Sequence, residues 1–136
     1  KNVGDIVVVL QPTSPLRDFN HINDSLNLFA KKNAKSVISV TQCEHPPEWA
    51  NTLEDNLCMD GFVKPEMYKR SQELKTHYRL NGAIYIFDVP YIIKNRTIDY
   101  STSTYAFIMG NEASIDIDNK IDFQIAEAIF LNKKIV

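Results

Sequence analysis

The fold is decided by Ile6-Val7-Val8-Val9-Leu10, which leads directly into Gln11-Pro12-Thr13-Ser14-Pro15-Leu16-Arg17. Five apolar residues, four of them β-branched, predict a strand that is buried on both faces, as in the middle of a parallel sheet. Two prolines fix the backbone of the second stretch, which predicts a rigid loop at the carboxyl end of the strand. Ligands of open α/β sheets bind beyond such ends, so the polar residues of the loop are candidates for substrate contact: Gln11, Thr13, Ser14 and Arg17. The alternative is a proline-stiffened turn in which Arg17 caps a neighbour.

The composition indicates one ordinary globular domain. The chain has 136 residues, enough for one domain with a hydrophobic core and too few for two. Its formal net charge of −2 argues against a general nucleic-acid-binding protein, which needs a basic face. We find no apolar run of membrane-spanning length and no signal peptide, and Cys43 and Cys58 have no metal or disulfide spacing. We therefore expect a cytoplasmic protein with reduced thiols that does not enter a membrane.

The residues after the loop predict alternating helices and strands. Ile22, Leu26 and Phe29 recur at helical spacing within residues 18–33, and an apolar run at 36–40 follows. Strand, helix and strand at this spacing predict a βαβ unit whose two strands form a parallel pair. The remaining predicted elements are strands at 81–87 and 104–109, a short helix at 89–94, and a helix from Asp118 or Asn119, as N-cap, to about Asn132. Gly82, at the start of the third strand, allows another backbone or a ligand to come close.

Residues 41–79 interrupt the alternation. Short apolar pieces at 49–53 and 57–63 flank turn-forming residues, which predicts a small antiparallel β excursion. Its apolar side chains are larger than a solvated hairpin should carry: Trp49, Leu53, Leu57, Met59 and Phe62. They either fold back on the main core or meet another subunit, and the second possibility predicts a homodimer.

A second stretch that suggests chemistry is Ser114-Ile115-Asp116-Ile117-Asp118. In an extended segment the two aspartates lie on one side and the two isoleucines turn inward. Adjacent carboxylates repel each other unless a cation lies between them, and Mg²⁺ favours one or two carboxylates together with substrate phosphates. The alternative is that Asp118 caps the last helix and Asp116 is solvated.

Three segments of the chain, in order, resemble the acylneuraminate cytidylyltransferases, the CMP-sialic acid synthetase family. Residues 11–17 are similar to the family's signature after a central strand. Residues 72–86, which include Asn81-Gly82-Ala83-Ile84-Tyr85-Ile86, are similar to its substrate segment. Residues 114–118, followed by a helix, are similar to its metal-binding motif. Since the order and spacing also fit, the resemblance covers essentially the whole chain.

The resemblance implies a Rossmann-like nucleotidyltransferase domain with a three-layer α/β/α fold and a small β excursion for dimerisation at 41–79. The family joins a nine-carbon sugar acid to CTP: the sugar hydroxyl attacks the α-phosphate in line, pyrophosphate leaves and Mg²⁺ neutralises the charge. Residues 1–136 would be a single domain, the carboxyl-terminal part of such an enzyme. The family's basic Gly-Ser-Lys nucleotide loop is absent from them. We therefore expect that the amino-terminal βα units are lacking and that the 136-residue chain alone is inactive.

The resemblance also implies roles for particular residues. Asp116 and Asp118 would be the catalytic metal ligands. The candidates for substrate binding, from the loop and from the resemblance together, are Gln11, Ser14, Arg17, Arg70, Gln72, Arg79, Asn81, Gly82 and Tyr85. Many family members have a basic residue directly before the glutamine, where this chain has Ser71 and carries Arg70 one position further back.

Three functions stay open at this point. The first is transfer of CMP from CTP to N-acetylneuraminic acid, and the second is the same reaction on legionaminic or a related nonulosonic acid. The third is a non-catalytic sugar-binding or dimerisation module. The missing phosphate loop favours the module, whereas the retained aspartate pair opposes it.

Overall fold

The structure is a computed structural model that describes residues 5–65 and 75–133. They form an α/β fold with a mixed four-stranded sheet and three α-helices, an architecture consistent with a Rossmann-like domain. The elements are β1 (Ile6–Leu10), α1 (Phe19–Lys31), β2 (Ser36–Gln42), β3 (Tyr78–Asp88), α2 (Val89–Asn95), β4 (Thr104–Ile108) and α3 (Lys120–Lys133). In the described part of the chain, no helix is both long enough and apolar enough to cross a membrane.

The chain divides into two compact units. The first, which we call the sheet unit, comprises Lys1–Thr41 and Leu80–Val136, and the second comprises Gln42–Arg79. The sheet unit has a core on α1, β2, β3 and the segment after β4: Phe29, Ala34, Val37, Ala83, Ile84, Ile86, Met109 and Ala113. The predicted excursion at 41–79 coincides with the second unit except that it begins one residue earlier. The role of this unit in dimerisation stays a prediction.

The strand order is β1-β3-β2-β4. β1 is antiparallel to β3, and β2 is parallel to β4. β3 also runs against β2, because Asp88 N donates to Lys35 O (2.9 Å) whereas Ile84 N donates to Ser39 Oγ (2.7 Å). β1, β2 and β4 therefore point in one direction, and the loops after them leave the same edge of the sheet.

The predicted parallel pair of β1 and β2 needs a correction. The two strands do run in the same direction, but β3 lies between them and pairs with β1 in the antiparallel sense. Spacing along the chain predicted the strands and the connecting helix correctly. It could not show that a strand from a later part of the chain would be inserted between them.

The prediction that β1 is buried on both faces is also wrong for the described residues. β1 forms an edge of their sheet, and Val7 and Val9 are 38% and 43% exposed. Ile6 and Val8, on the other face, pack against the core cluster. A continuous apolar run shows that a strand favours burial, but it does not identify what covers each face.

The antiparallel strands predicted at 49–53 and 57–63 are not formed. Residues 43–65 contain a short 3₁₀ helix at Pro47–Trp49 and no strand. Asparagine side chains bind nearby backbone groups instead: Asn51 Oδ1 accepts from Thr52 N (2.8 Å) and Asn56 Oδ1 accepts from Cys58 N (2.8 Å). Such local bonds compete with a strand ladder, so the turn-forming residues determine the structure of this stretch.

Candidate functional site

The loop after β1 is fastened to β3 by Arg17. Ser14 N donates to Gln11 O (3.3 Å), which closes a turn. Arg17 Nη1 donates to Gln11 O (3.1 Å) and to Ala83 O (2.7 Å), and burial lowers the pKa of this guanidinium. The capping role considered for Arg17 is therefore present. Both hydrogen bonds are donated by Arg17 Nη1, so neither of them uses the Nε or Nη2 donors of Arg17.

Gly82 is the point at which this loop meets β3. Its φ is +72°, and a Cβ at this position would overlap Gln11 Oε1 and lie 3.1 Å from Gln11 Cδ. The left-handed backbone therefore favours glycine here, and the absence of a Cβ lets the Gln11 side chain come close. The two predicted residues Gln11 and Gly82 come together, and the group that approaches the glycine is a side chain of the same chain.

Asn81 is the centre of a buried polar network. Its Oδ1 accepts from Ser39 Oγ (2.5 Å) and from Ala83 N (3.2 Å), and its Nδ2 donates to Ser114 Oγ (2.8 Å). Ser114 Oγ in turn donates to Gly110 O (2.7 Å). The network links β2, β3 and the segment after β4, so the predicted substrate segment and the predicted metal segment are joined directly.

Residues 114–118 lie beside the loop after β1. Ile117 N donates to Thr13 O (2.8 Å), which ties the two segments together. Asp116 is half-buried, and its Oδ1 is buried without a hydrogen-bond partner among the described residues. Ile115 and Ile117 are half-buried as well, so the alternation predicted for this stretch is only partly expressed.

Asn119, not Asp118, caps the last helix. Asn119 Oδ1 accepts from Ile121 N (2.8 Å) and Asp122 N (3.2 Å), and Asp122 Oδ2 accepts from Asn119 N (3.1 Å), which completes a capping box. Asp118 is exposed, and its carboxylate makes no hydrogen bond within the described residues. The alternative in which Asp118 serves as the cap is therefore wrong.

The carboxylate oxygens of Asp116 and Asp118 are of the donor type that a hard divalent cation takes. A buried carboxylate oxygen without a partner is costly, and Asp116 Oδ1 is such an atom, while the Asp118 carboxylate is not committed to the helix cap. Mg²⁺ is commonly held by one or two carboxylates with substrate phosphates completing the coordination. Residues 5–65 and 75–133 contain no group of three or more His, Cys, Asp or Glu side chains arranged to hold a metal ion.

The other predicted site residues lie outside the Asn81 network and the aspartate segment. Ser14 is 1% exposed, and its Oγ has no hydrogen-bond partner in the described part of the chain. Tyr85 is half-buried on β3 opposite Val9 and stacks on Phe87 with ring centroids 6.2 Å apart. Arg79 belongs to the second unit, where its guanidinium donates to both Glu44 carboxylate oxygens (2.8 and 3.3 Å) and lowers the pKa of Glu44. The predictions for Arg70 and Gln72 fall outside the described residues.

Two serines of the network were not among the predicted site residues. Ser39 is fully buried in the apolar run of β2, and Ser114 is 1% exposed at the start of the aspartate segment. A serine inside an otherwise apolar strand must find a hydrogen-bond partner when it is buried, so Ser39 could have been used to predict a buried polar contact. Its partner, Asn81, comes from a distant part of the chain that the sequence alone does not bring near.

Comparison with known proteins identifies relatives along most of this chain. No protein-family model matches it. It is 34% identical over 132 residues to the CMP-N,N'-diacetyllegionaminic acid synthase of Legionella pneumophila, covering 92% of this chain and 53% of that protein. It is 32% identical over 116 residues to an N-acylneuraminate cytidylyltransferase of Streptococcus agalactiae, covering 85% of this chain and 28% of that protein. This chain is a relative of the acylneuraminate cytidylyltransferases.

A third cytidylyltransferase agrees with this relationship. The N-acylneuraminate cytidylyltransferase of Escherichia coli is 31% identical over 122 residues, which cover 89% of this chain and 29% of that protein. The resemblance predicted from the loop, the substrate segment and the aspartate segment is thereby confirmed. The chain spans about half the length of the Legionella synthase and less than a third of the two N-acylneuraminate cytidylyltransferases.

Proposed function

We propose that the protein containing these residues is a cytidylyltransferase that transfers CMP from CTP to N-acetylneuraminic acid, releases pyrophosphate and uses Mg²⁺. The observation that carries the proposal is the meeting of three sequence-predicted segments at one edge of the sheet. Gln11 lies over Gly82, Thr13 binds Ile117, and Asn81 binds Ser114. The names of the relatives support the reaction class, and the mixed four-stranded sheet with three helices is consistent with the Rossmann-like, three-layer nucleotidyltransferase fold that we propose for the protein.

In this proposal each segment has a distinct task. The proline-stiffened loop presents the Gln11 amide and the Arg17 cation in a fixed geometry, so little conformational freedom is lost when an anionic sugar binds. Tyr85 extends the sugar site, and Arg70, Gln72 and Arg79 are proposed as further substrate-binding residues of the same protein. Asp116 and Asp118 would hold Mg²⁺, which when bound supplies positive charge to the phosphates as pyrophosphate leaves.

Legionaminic acid, or a related nonulosonic acid, is the second candidate substrate. The observation that favours it is the 34% identity, over 92% of this chain, to a synthase named for N,N'-diacetyllegionaminic acid. The reaction and the proposed residues are unchanged for this substrate. Only the groups that surround the sugar's acylamino substituents would differ.

We also propose a homodimer formed through the second unit. This unit exposes more large apolar side chains than a solvated segment should: Trp49 is 38% exposed, Leu53 54%, Leu57 70% and Met59 58%. A symmetric partner that presents the same surface would cover them. The protein partner is then a second copy of this protein, and the substrates are CTP and the sugar acid.

The test is pyrophosphate release by the full-length protein with CTP and Mg²⁺. N-acetylneuraminic acid and N,N'-diacetyllegionaminic acid are supplied in separate reactions, and the larger kcat/KM identifies the substrate. Sugar-dependent release is the expected result. Sugar binding by calorimetry without any release would favour the non-catalytic module instead. The 136-residue chain alone is assayed beside the full-length protein under the same conditions, and we expect no turnover from it.

A further inference from the structure

We propose that Asn81 and Ser114 are positioning residues that hold the aspartate segment in place, and that Asn81 is not a contact of the sugar. The inference rests on the proposed function, because Asp116 is a metal ligand in that account. It concerns how this chain holds the carboxylate before any ligand arrives.

The hydrogen-bonding capacity of Asn81 is already used inside the protein. An asparagine side chain offers two acceptor positions and two donors. Both acceptor positions are filled by Ser39 Oγ and Ala83 N, and because Ala83 N can only donate, the bond fixes which side-chain atom of Asn81 is the oxygen. Nδ2 donates to Ser114 Oγ and lies 3.5 Å from Met109 Sδ. With Asn81 only 3% exposed, a sugar could bind it only by breaking a buried bond.

Ser114 transmits this restraint to the aspartate segment. Its Oγ accepts from Asn81 and donates to Gly110 O, so the start of the segment is tied to β3 and to the turn after β4. Ile117 N is tied to Thr13 O at the other end. Asp116 lies between these two attachments, where its Oδ1 is buried and no described residue offers it a hydrogen bond. Since an unpaired buried carboxylate oxygen favours moving into water, something must hold it, and the two attachments do so.

The experiment compares three serine variants of the full-length protein. Ser114→Ala removes the hydroxyl, and Ser114→Thr retains it. Ser25→Ala is the matched control, because Ser25 is also fully buried in the sheet unit but donates to Ile22 O within α1. Two quantities are measured for each: the hydrogen-exchange rate of the Ile117 amide, and the Mg²⁺ concentration that gives half-maximal turnover.

Ser114→Ala should raise both quantities by about tenfold or more, because both buried hydrogen bonds of the Ser114 hydroxyl are lost, while the sugar KM stays within about twofold. Ser114→Thr should behave like the wild type. Ser25→Ala should lower the melting temperature without changing either quantity. If Ser114→Ala does not fold, Ser114→Cys, which is similar in size and a weak hydrogen-bonding group, takes its place with the same expectations.

Two results would overturn the proposal. One is an unchanged Ile117 exchange rate in Ser114→Ala, and the other is a raised sugar KM with an unchanged Mg²⁺ requirement. If the wild-type protein transfers no cytidylyl group, the proposed function fails. The Ile117 exchange rate then still decides whether Ser114 holds the segment.

Discussion

Replacing Gly82 with alanine separates the backbone role of this glycine from its role in placing Gln11. The substitution forces a Cβ onto a residue with φ of +72° and into the space occupied by Gln11 Oε1. Gly61 supplies the control, because its φ is +68° and a Cβ there would meet no atom of the described residues within 4 Å. Gly82→Ala and Gly61→Ala therefore impose the same backbone strain, but only Gly82→Ala displaces a candidate substrate ligand.

The magnitudes follow from this geometry. The left-handed backbone should cost each alanine variant about 1–2 kcal/mol of unfolding free energy. The overlap at Gly82 adds little, because the group that must move is the end of a flexible side chain. Its displacement should instead raise the sugar KM about two- to tenfold, the effect of losing one hydrogen bond of about 0.5–1.5 kcal/mol.

Urea unfolding and sugar kinetics of the full-length protein give the two readouts. In a Gln11→Ala background, Gly82→Ala should cause no further rise in KM, since there is no amide left to displace. The reasoning is refuted if Gly82→Ala and Gly61→Ala leave the sugar KM equally unchanged while Gln11→Ala alone raises it.

Further predictions concern the last helix, the dimer and the first helix of the full-length protein. Asn119→Ala should lower the free energy of unfolding by about 1 kcal/mol without altering the Mg²⁺ requirement. Asp118→Asn should alter the Mg²⁺ requirement and leave the free energy of unfolding unchanged, as Mg²⁺ titration and urea unfolding would show. Leu57→Asp combined with Phe62→Asp should give monomers in sedimentation equilibrium, and a persisting dimer would exclude the second unit as the interface. Asp18→Ala should cost about 1 kcal/mol at neutral pH. The hydrogen bond from the His21 amide lowers the pKa of Asp18, so the stabilisation by this cap is present above the ordinary aspartate pKa and is lost as the pH falls through the lowered value. An equal cost of Asp18→Ala in acid would contradict this prediction.

The sequence predicted most elements because their signals are local. The spacing of Ile22, Leu26 and Phe29 marked α1, and the helix at Lys120–Lys133 begins directly after one of its two candidate caps. The order of the strands was not predictable, because β3 reaches its place between β1 and β2 from a distant part of the chain. The apolar composition of β1 likewise gave no information about its neighbours.

The candidate site shows the same division. The stiff loop and the glycine of β3 were visible in the sequence, but the contact between Gln11 and Gly82 depends on the antiparallel register of β1 with β3. Asn81 was predicted as a substrate contact from its place in a motif. In the structure its side chain binds Ser39, Ala83 N and Ser114, and only the folded sheet brings the two serines to it.

The most direct test of the central claim is the rate of pyrophosphate release by the full-length protein and by its Asp116→Asn variant. CTP, Mg²⁺ and each sugar acid are supplied at saturation, and equal melting temperatures establish that both proteins are folded. We predict sugar-dependent release by the wild type and a rate lower by about a hundredfold or more in the variant, because a ligand of the transition-state charge clamp is lost. Release by Asp116→Asn at a rate near that of the wild type, with the same dependence on Mg²⁺, would contradict the account.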